Sequence, residues 1–174
     1  MITFHIEPIE KVWPDVTRLA QACWNEVEST HHDHSHLMRL DRYKEYEDAG
    51  MFYCAVARDG DRAVGYTTGF ISDCMHTQAK VGHDDGMYLE LPYRGRGIAV
   101  RFLRFVEDFC RSIGVTEMYA HAVIGGEVSR VLEFLDYEPL SVQYVKRLGR
   151  ADSARSYTAV METFSREPIR SETP

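Results

Sequence analysis

The sequence predicts an α/β domain in which helices pack against a sheet, and two observations carry that reading. Apolar runs suited to strands alternate with runs of helical period in the order β-α-α-β-β-β-α-β-α-β. At 174 residues and 44% hydrophobic content, the chain suits one compact domain and is too apolar to stay disordered.

Ile2 to Ile6 reads as a first strand. Lys11 to Glu28 carries Val12, Val16, Leu19, Ala20, Cys23 and Val27 at helical spacing, with Pro14 near its start. After a His-rich break, Leu37 to Ala49 forms a second helix stopped by Gly50. Its charges alternate in sign, while Leu40, Tyr43 and Tyr46 give it an apolar side, so it is either a solvated amphipathic helix or a cavity wall. Met51 to Ala57 and Ala63 to Ile71 are β-rich runs joined by Arg58-Asp59-Gly60-Asp61-Arg62, which is a hairpin. A polar stretch, Ser72 to Gly82, leads to a strand ending at Leu91. Ile98 to Ile113 places Ile98, Phe102, Val106, Phe109 and Ile113 on one helical face and ends at Gly114. Thr116 to Val123 is a further strand, Glu127 to Leu135 a shorter helix, and Pro139 to Leu148 one or two closing strands. Residues 149–174 mix Arg, Ser, Glu and Pro and read as a peripheral tail or an arm against a partner subunit, which makes a homodimer one expectation.

The formal charge of −7 opposes general binding to nucleic acid or to anionic membranes and favours a cationic substrate. Cys23, Cys54, Cys74 and Cys110 are widely spaced with no C-x-x-C pair, and neither a signal peptide nor a long uncharged apolar run is present. A reduced, soluble, cytoplasmic protein is the expectation.

The most informative stretch is Tyr93-Arg94-Gly95-Arg96-Gly97-Ile98-Ala99, set between an apolar strand and a strongly amphipathic helix. Gly95 and Gly97 let a ligand approach the backbone, and the free amides and positive dipole end of a helix N-terminus favour a diphosphate. A P-loop would need Lys-Ser/Thr after its last glycine, and a dinucleotide fold would need G-x-G-x-x-G; neither is present. What stands here is Arg94-x-x-Gly97-x-Ala99, preceded by Met87-Tyr88-Leu89-Glu90-Leu91-Pro92.

At these residues the chain resembles the GNAT superfamily of N-acetyltransferases, whose signature is [Arg/Gln]-x-x-Gly-x-[Gly/Ala]. The resemblance covers roughly residues 1 to 148 and extends to often phage-encoded members with no settled acceptor. It implies a mixed, mainly antiparallel sheet flanked by helices, with acetyl-CoA as co-substrate and no metal. The loop amides of Arg94, Gly95, Arg96, Gly97, Ile98 and Ala99 would hold the CoA pyrophosphate. Backbone groups near Leu89 and Leu91 would pair with pantetheine and orient the acetyl carbonyl, where a strand N–H also stabilises the oxyanion. The family's usual Tyr acid falls here at Leu132, which cannot donate a proton, and its Asn falls at Gly125.

An attacking ammonium must lose a proton before it is a nucleophile, and His83 and Asp85 are the candidate groups, placed on one strand face by their two-residue spacing. A surface strand end or a structural hydrogen bond is the bland alternative for both. Glu90 ranks lower because alternation turns it away from the Leu89 face. Tyr144 and Tyr137 are candidate donors to the departing thiolate, though a structural phenol is the commoner role. His31, His32, His34 and His36 fit a substrate-facing loop between the first two helices; a solvated loop and a metal site are the alternatives. No cysteine matches a family nucleophile, which favours direct attack over a covalent intermediate. The expected activity is acetyl transfer to a primary amine, with a non-catalytic acyl-CoA-binding or protein-interaction module as the alternative.

Overall fold

The structure, a computed structural model, describes residues 1–29, 36–123 and 126–146. The chain divides into two compact units, Met1–Glu138 and Pro139–Pro174. All the regular elements described belong to the first. They run β1 (Ile2–Ile6), α1 (Ile9–Cys23), α2 (Leu40–Asp48), β2 (Phe52–Asp59), β3 (Arg62–Asp73), β4 (Lys80–Leu89), α3 (Ile98–Ser112), β5 (Glu117–Tyr119) and α4 (Glu127–Phe134).

The sheet has the order β1-β2-β3-β4-β5. Its first three pairings are antiparallel and the β4–β5 pairing is parallel, so the mixed, mainly antiparallel sheet expected from the sequence is present. The Gly60 turn sits at positive φ and lets β2 fold back on β3, whereas β4 reaches its parallel neighbour only by crossing over through α3.

β2, an interior strand, is buried on both faces because helices cover both. Phe52, Cys54 and Val56 face the stripe Ile9, Val12, Val16 and Leu19 of α1, while Tyr53, Ala55 and Ala57 face Phe102, Val106 and Cys110 of α3. Each fully buried Val, Leu, Ile or Phe among them contributes about 1.5–3 kcal/mol. On the α2 side, Tyr43 packs on Phe52 with ring centroids 5.3 Å apart and Tyr46 meets Phe70 edge-on at 5.0 Å. Those contacts give the two tyrosines structural roles.

Three local features depart from the pattern in the sequence. The first helix does not run evenly to Glu28: from Trp24 it widens into a π turn, closed by the Ser29 N–H donating to the Trp24 carbonyl at 2.8 Å. β4 stops at Leu89 rather than Leu91, because Leu91–Tyr93 forms a 3-10 turn around Pro92, which has no N–H for a ladder. The closing strands expected over Pro139 to Leu148 are not seen in the described part, 139–146, which carries no regular element. No described helix is long and apolar enough to cross a membrane.

Candidate active site

β3 follows β4 along its whole length, but β5 pairs with β4 only from Val81 to His83. Beyond that point the outer edge of β4 has no strand beside it among the described residues, and the sheet opens into a fork. The Glu90 N–H donates inward to the Val64 carbonyl, so by alternation the backbone groups of Leu89 and Met87 face the open edge. Side chains already reach that edge. Arg94 Nε donates to the Leu89 carbonyl at 2.7 Å, and the Cys23 thiol lies 3.7 Å from the Met87 carbonyl.

At the base of the fork, Asp84 accepts the backbone N–H of His121 at 3.1 Å from each oxygen, and its Oδ1 lies 2.6 Å from His121 Nδ1. The neighbouring His83 ring stacks on Tyr119 of β5 with centroids 5.0 Å apart. Sequence reasoning missed the Asp84–His121 pair, because only the strand pairing brings residues 37 positions apart together.

The β3–β4 register slips between Thr68 and Gly69: Thr68 faces Gly86 and Gly69 faces Asp84, leaving Asp85 as the extra residue of a β-bulge. The alternation from His83 through Asp84 to Asp85 is kept, and the bulge breaks it only at the next step, Asp85 to Gly86. Asp85 accepts the Thr68 hydroxyl at 3.1 Å on the face covered by α1 and α2, and His83 is paired with Phe70 of that same face. Gly69 makes the slip tolerable. A Cβ there would stand 2.5 Å from the Tyr53 hydroxyl oxygen.

The loop after β4 has the backbone the glycines suggested. Gly95 and Gly97 sit at φ 74° and 67°, and a Cβ on either would meet no protein atom within 4 Å, so the space above the loop is open. Gly97 caps α3 with no side-chain hydrogen bond, and α3 has no acidic residue in its first turn, unlike α1, α2 and α4. Its first amides are thus left to a ligand, and an anion meets no nearby negative charge from the helix. These residues fit a CoA pyrophosphate. Ile98 is buried and anchors the helix start, Ala99 follows half-buried, and the Arg96 side chain is exposed.

Arg94 is turned away from that cradle. Its Nη1 and Nη2 form a bidentate pair with Glu26 of the π turn at 2.5 and 3.0 Å, and its guanidinium lies 5.1 Å from the Tyr88 ring centre. The Tyr88 hydroxyl donates to the same Glu26 carboxylate at 3.1 Å. The Arg94 hydrogen bond holds Glu26 below the ordinary carboxylate range.

Other candidates fall elsewhere. Leu91 is 65% exposed in the 3-10 turn, and its carbonyl accepts the Arg94 N–H at 3.1 Å, so the free strand edge ends at Leu89. His36 folds back on α1, 3.2 Å from Gln21 and against the Trp24 ring. His31, His32 and His34 lie outside the described residues, as does Gly125. Among the described residues no group of three metal-ligating side chains converges. Leu132 is buried, consistent with its inability to serve as an acid. The Tyr137 hydroxyl reaches Met118 of β5 at 3.9 Å, and burial pushes its pKa up. Tyr144 belongs to the second unit and is 90% exposed.

Residues 13–130 match the model of the acetyltransferase (GNAT) family. The chain belongs to the GNAT family. Among solved GNAT structures, it is similar to the aminoglycoside acetyltransferase meta-AAC0020 from an uncultured soil metagenomic sample, in complex with sisomicin (14% identity, 85% of this chain and 97% of that chain, TM-score 0.68). A ribosomal-protein-alanine N-acetyltransferase from Brucella melitensis biovar Abortus 2308 aligns at 17% identity over 86% of this chain and 100% of its own, with a TM-score of 0.66. AAC(6')-Iy in complex with the bisubstrate analogue CoA-S-monomethyl-acetylneamine aligns at 19% identity over 84% and 99%, with a TM-score of 0.64. At these identities the likeness shows the GNAT fold. None of the curated proteins compared with the chain matches it in sequence.

Proposed function

We propose that this GNAT protein transfers acetyl from acetyl-CoA to a primary amine by direct attack in the fork between β4 and β5. The observation that carries the reading is the continuity of the open β4 edge with the uncapped N-terminus of α3. One surface offers amides for a diphosphate and, beside it, unladdered strand groups for an amide-bearing arm. GNAT acetyltransferases use acetyl-CoA, which supplies the thioester. A β4 N–H aimed at its carbonyl would stabilise the oxyanion as nitrogen attacks.

Two groups on the α1–α2 face, His83 and Asp85, are our candidates for removing the amine proton, with Tyr144 as a candidate donor to the thiolate. Direct attack is supported by three of the four cysteines, while the fourth, Cys23, is buried with its thiol at the Met87 carbonyl. Burial raises the Cys54 thiol to about 12 and Cys110 to about 11, which leaves both poor nucleophiles, and Cys74 sits beyond the far end of β4 from the loop. The net charge of −7 and the Asp85 carboxylate favour a cationic acceptor.

The alternative, a CoA-binding module without turnover, draws on buried Leu132 at the position of the family's acid. Thiol release from acetyl-CoA separates the two. The amine panel would include sisomicin, a linear diamine and a peptide with N-terminal alanine. Transfer to any amine, reduced in His83→Ala or Asp85→Ala, supports the enzyme; tight CoA binding with no release on any amine supports the module.

A further inference from the structure

We propose that Glu26 is a positioning residue for CoA binding, acting from the π turn of the first helix through the guanidinium of Arg94. The proposal rests on the reading of the glycine loop as the CoA site. Arg94 is the first residue of that loop, and its side chain makes no use of the cradle. All three of its nitrogens are directed the other way, Nε to the Leu89 carbonyl at 2.7 Å and the two terminal nitrogens to Glu26 at 2.5 and 3.0 Å. The face of Tyr88 supports the guanidinium, and the Tyr88 hydroxyl orients the same carboxylate.

The geometry joins three segments: the π turn at the end of α1, the end of β4 and the entry to the loop. A planar guanidinium gripped at one edge by a bidentate carboxylate and at the other by a carbonyl has one orientation. The loop entry therefore inherits that orientation before any ligand arrives. The π turn is part of the device, because it lies where the helix would otherwise continue and it carries Glu26. Glu127, 4.0 Å from Arg94, is the other carboxylate near the guanidinium among the described residues, but it is 80% exposed and makes no comparable grip.

If Glu26 is lost, Arg94 keeps the Leu89 carbonyl but loses its bidentate anchor, and the loop must be ordered when CoA binds. Ordering one such side chain weakens affinity by about three- to tenfold. The effect falls on the donor alone, so the KM for acetyl-CoA rises while kcat at saturating donor stays unchanged.

The test is calorimetric titration of CoA into the full-length protein and into Glu26→Gln, Tyr88→Phe, Arg94→Gln and the Glu26→Gln/Arg94→Gln double variant. The expected result is weaker CoA binding in Glu26→Gln, a smaller loss in Tyr88→Phe, and a double variant no worse than Arg94→Gln alone. Tyr88→Phe removes only the hydroxyl and keeps the readout alive should Glu26→Gln fold poorly. Unchanged affinity in Glu26→Gln, or losses that add in the double variant, overturns the proposal. Tighter binding in Glu26→Gln also overturns it, since Glu26 would then be holding Arg94 away from the phosphates. No CoA binding by the parent protein removes the donor reading itself and this inference with it.

Discussion

Asp84 and His121 hold each other across the base of the fork, the aspartate taking both the backbone N–H and the ring of the histidine. Asp84 stands one residue and His121 two residues past the last β4–β5 pairing, His83 with Tyr119. A carboxylate occupies the place where a next ladder bond would form, and the two strands part there.

Replacing Asp84 by Ala leaves the His121 N–H and ring to water as their acceptor and, since His121 is exposed, is expected to destabilise the fold by about 0.5–1.5 kcal/mol. Asp84→Asn, which still offers a carbonyl oxygen, recovers about half of that. Urea unfolding of the three proteins checks the order.

Gly69 faces a filled space, so Gly69→Ala forces the Tyr53 ring to move. The expected cost is about 1–3 kcal/mol. Because the Tyr53 ring belongs to the core beneath α3, thermal unfolding followed by the tyrosine signal reports the change.

Glu7 is gripped by Arg58 through two hydrogen bonds, 2.6 and 2.9 Å, and this holds its pKa below the ordinary carboxylate value. A lowered folded-state pKa means that the unfolded chain binds the proton more readily. The pair's stabilisation is therefore complete above the ordinary value of 4.5 and is lost as pH falls through the folded one. Glu7→Gln is expected to be less stable than the parent at pH 7, with the gap closing in acid. Urea midpoints from pH 7 down to pH 3 measure it.

Asp136 follows α4 at φ 62°, in the left-handed position where the Tyr137 N–H closes the helix on the Leu132 carbonyl at 3.0 Å. Glycine adopts that conformation without strain. Asp136→Gly is expected to raise stability by up to about 1 kcal/mol, read as a higher melting temperature.

Much of the fold was legible because burial on one face imposes a period. The stripe Ile98, Phe102, Val106 marks α3 in the sequence and is what the structure buries, and Gly60 announced the hairpin that β2 and β3 form. The cradle was legible for a similar reason: Gly95 and Gly97 stand where the backbone needs positive φ. What escaped depends on long-range register. The bulge at Asp85 arises from its pairing with β3 and from the room Gly69 leaves for Tyr53, neither of which is local. Arg94 was visible as a signature residue, but its partner is 68 positions away on a single π turn, too short to leave a period in the sequence. The closing strands failed for the opposite reason. Leu140, Val142 and Val145 look strand-like in sequence, yet they stand exposed at 78%, 64% and 75%, and residues 139–146 pair with no strand among the described residues.

The central claim is that the loop from Arg94 to Ala99 seats CoA through its backbone, and calorimetric titration of CoA into the parent protein and Gly97→Val tests it most directly. A side chain at Gly97 meets open space within the protein, so its cost falls on the strained φ and on any ligand above the loop. The account predicts one CoA per chain in the parent and at least about a tenfold loss of affinity in a Gly97→Val protein that remains folded. No binding by the parent, or equal binding by the folded variant, would contradict it.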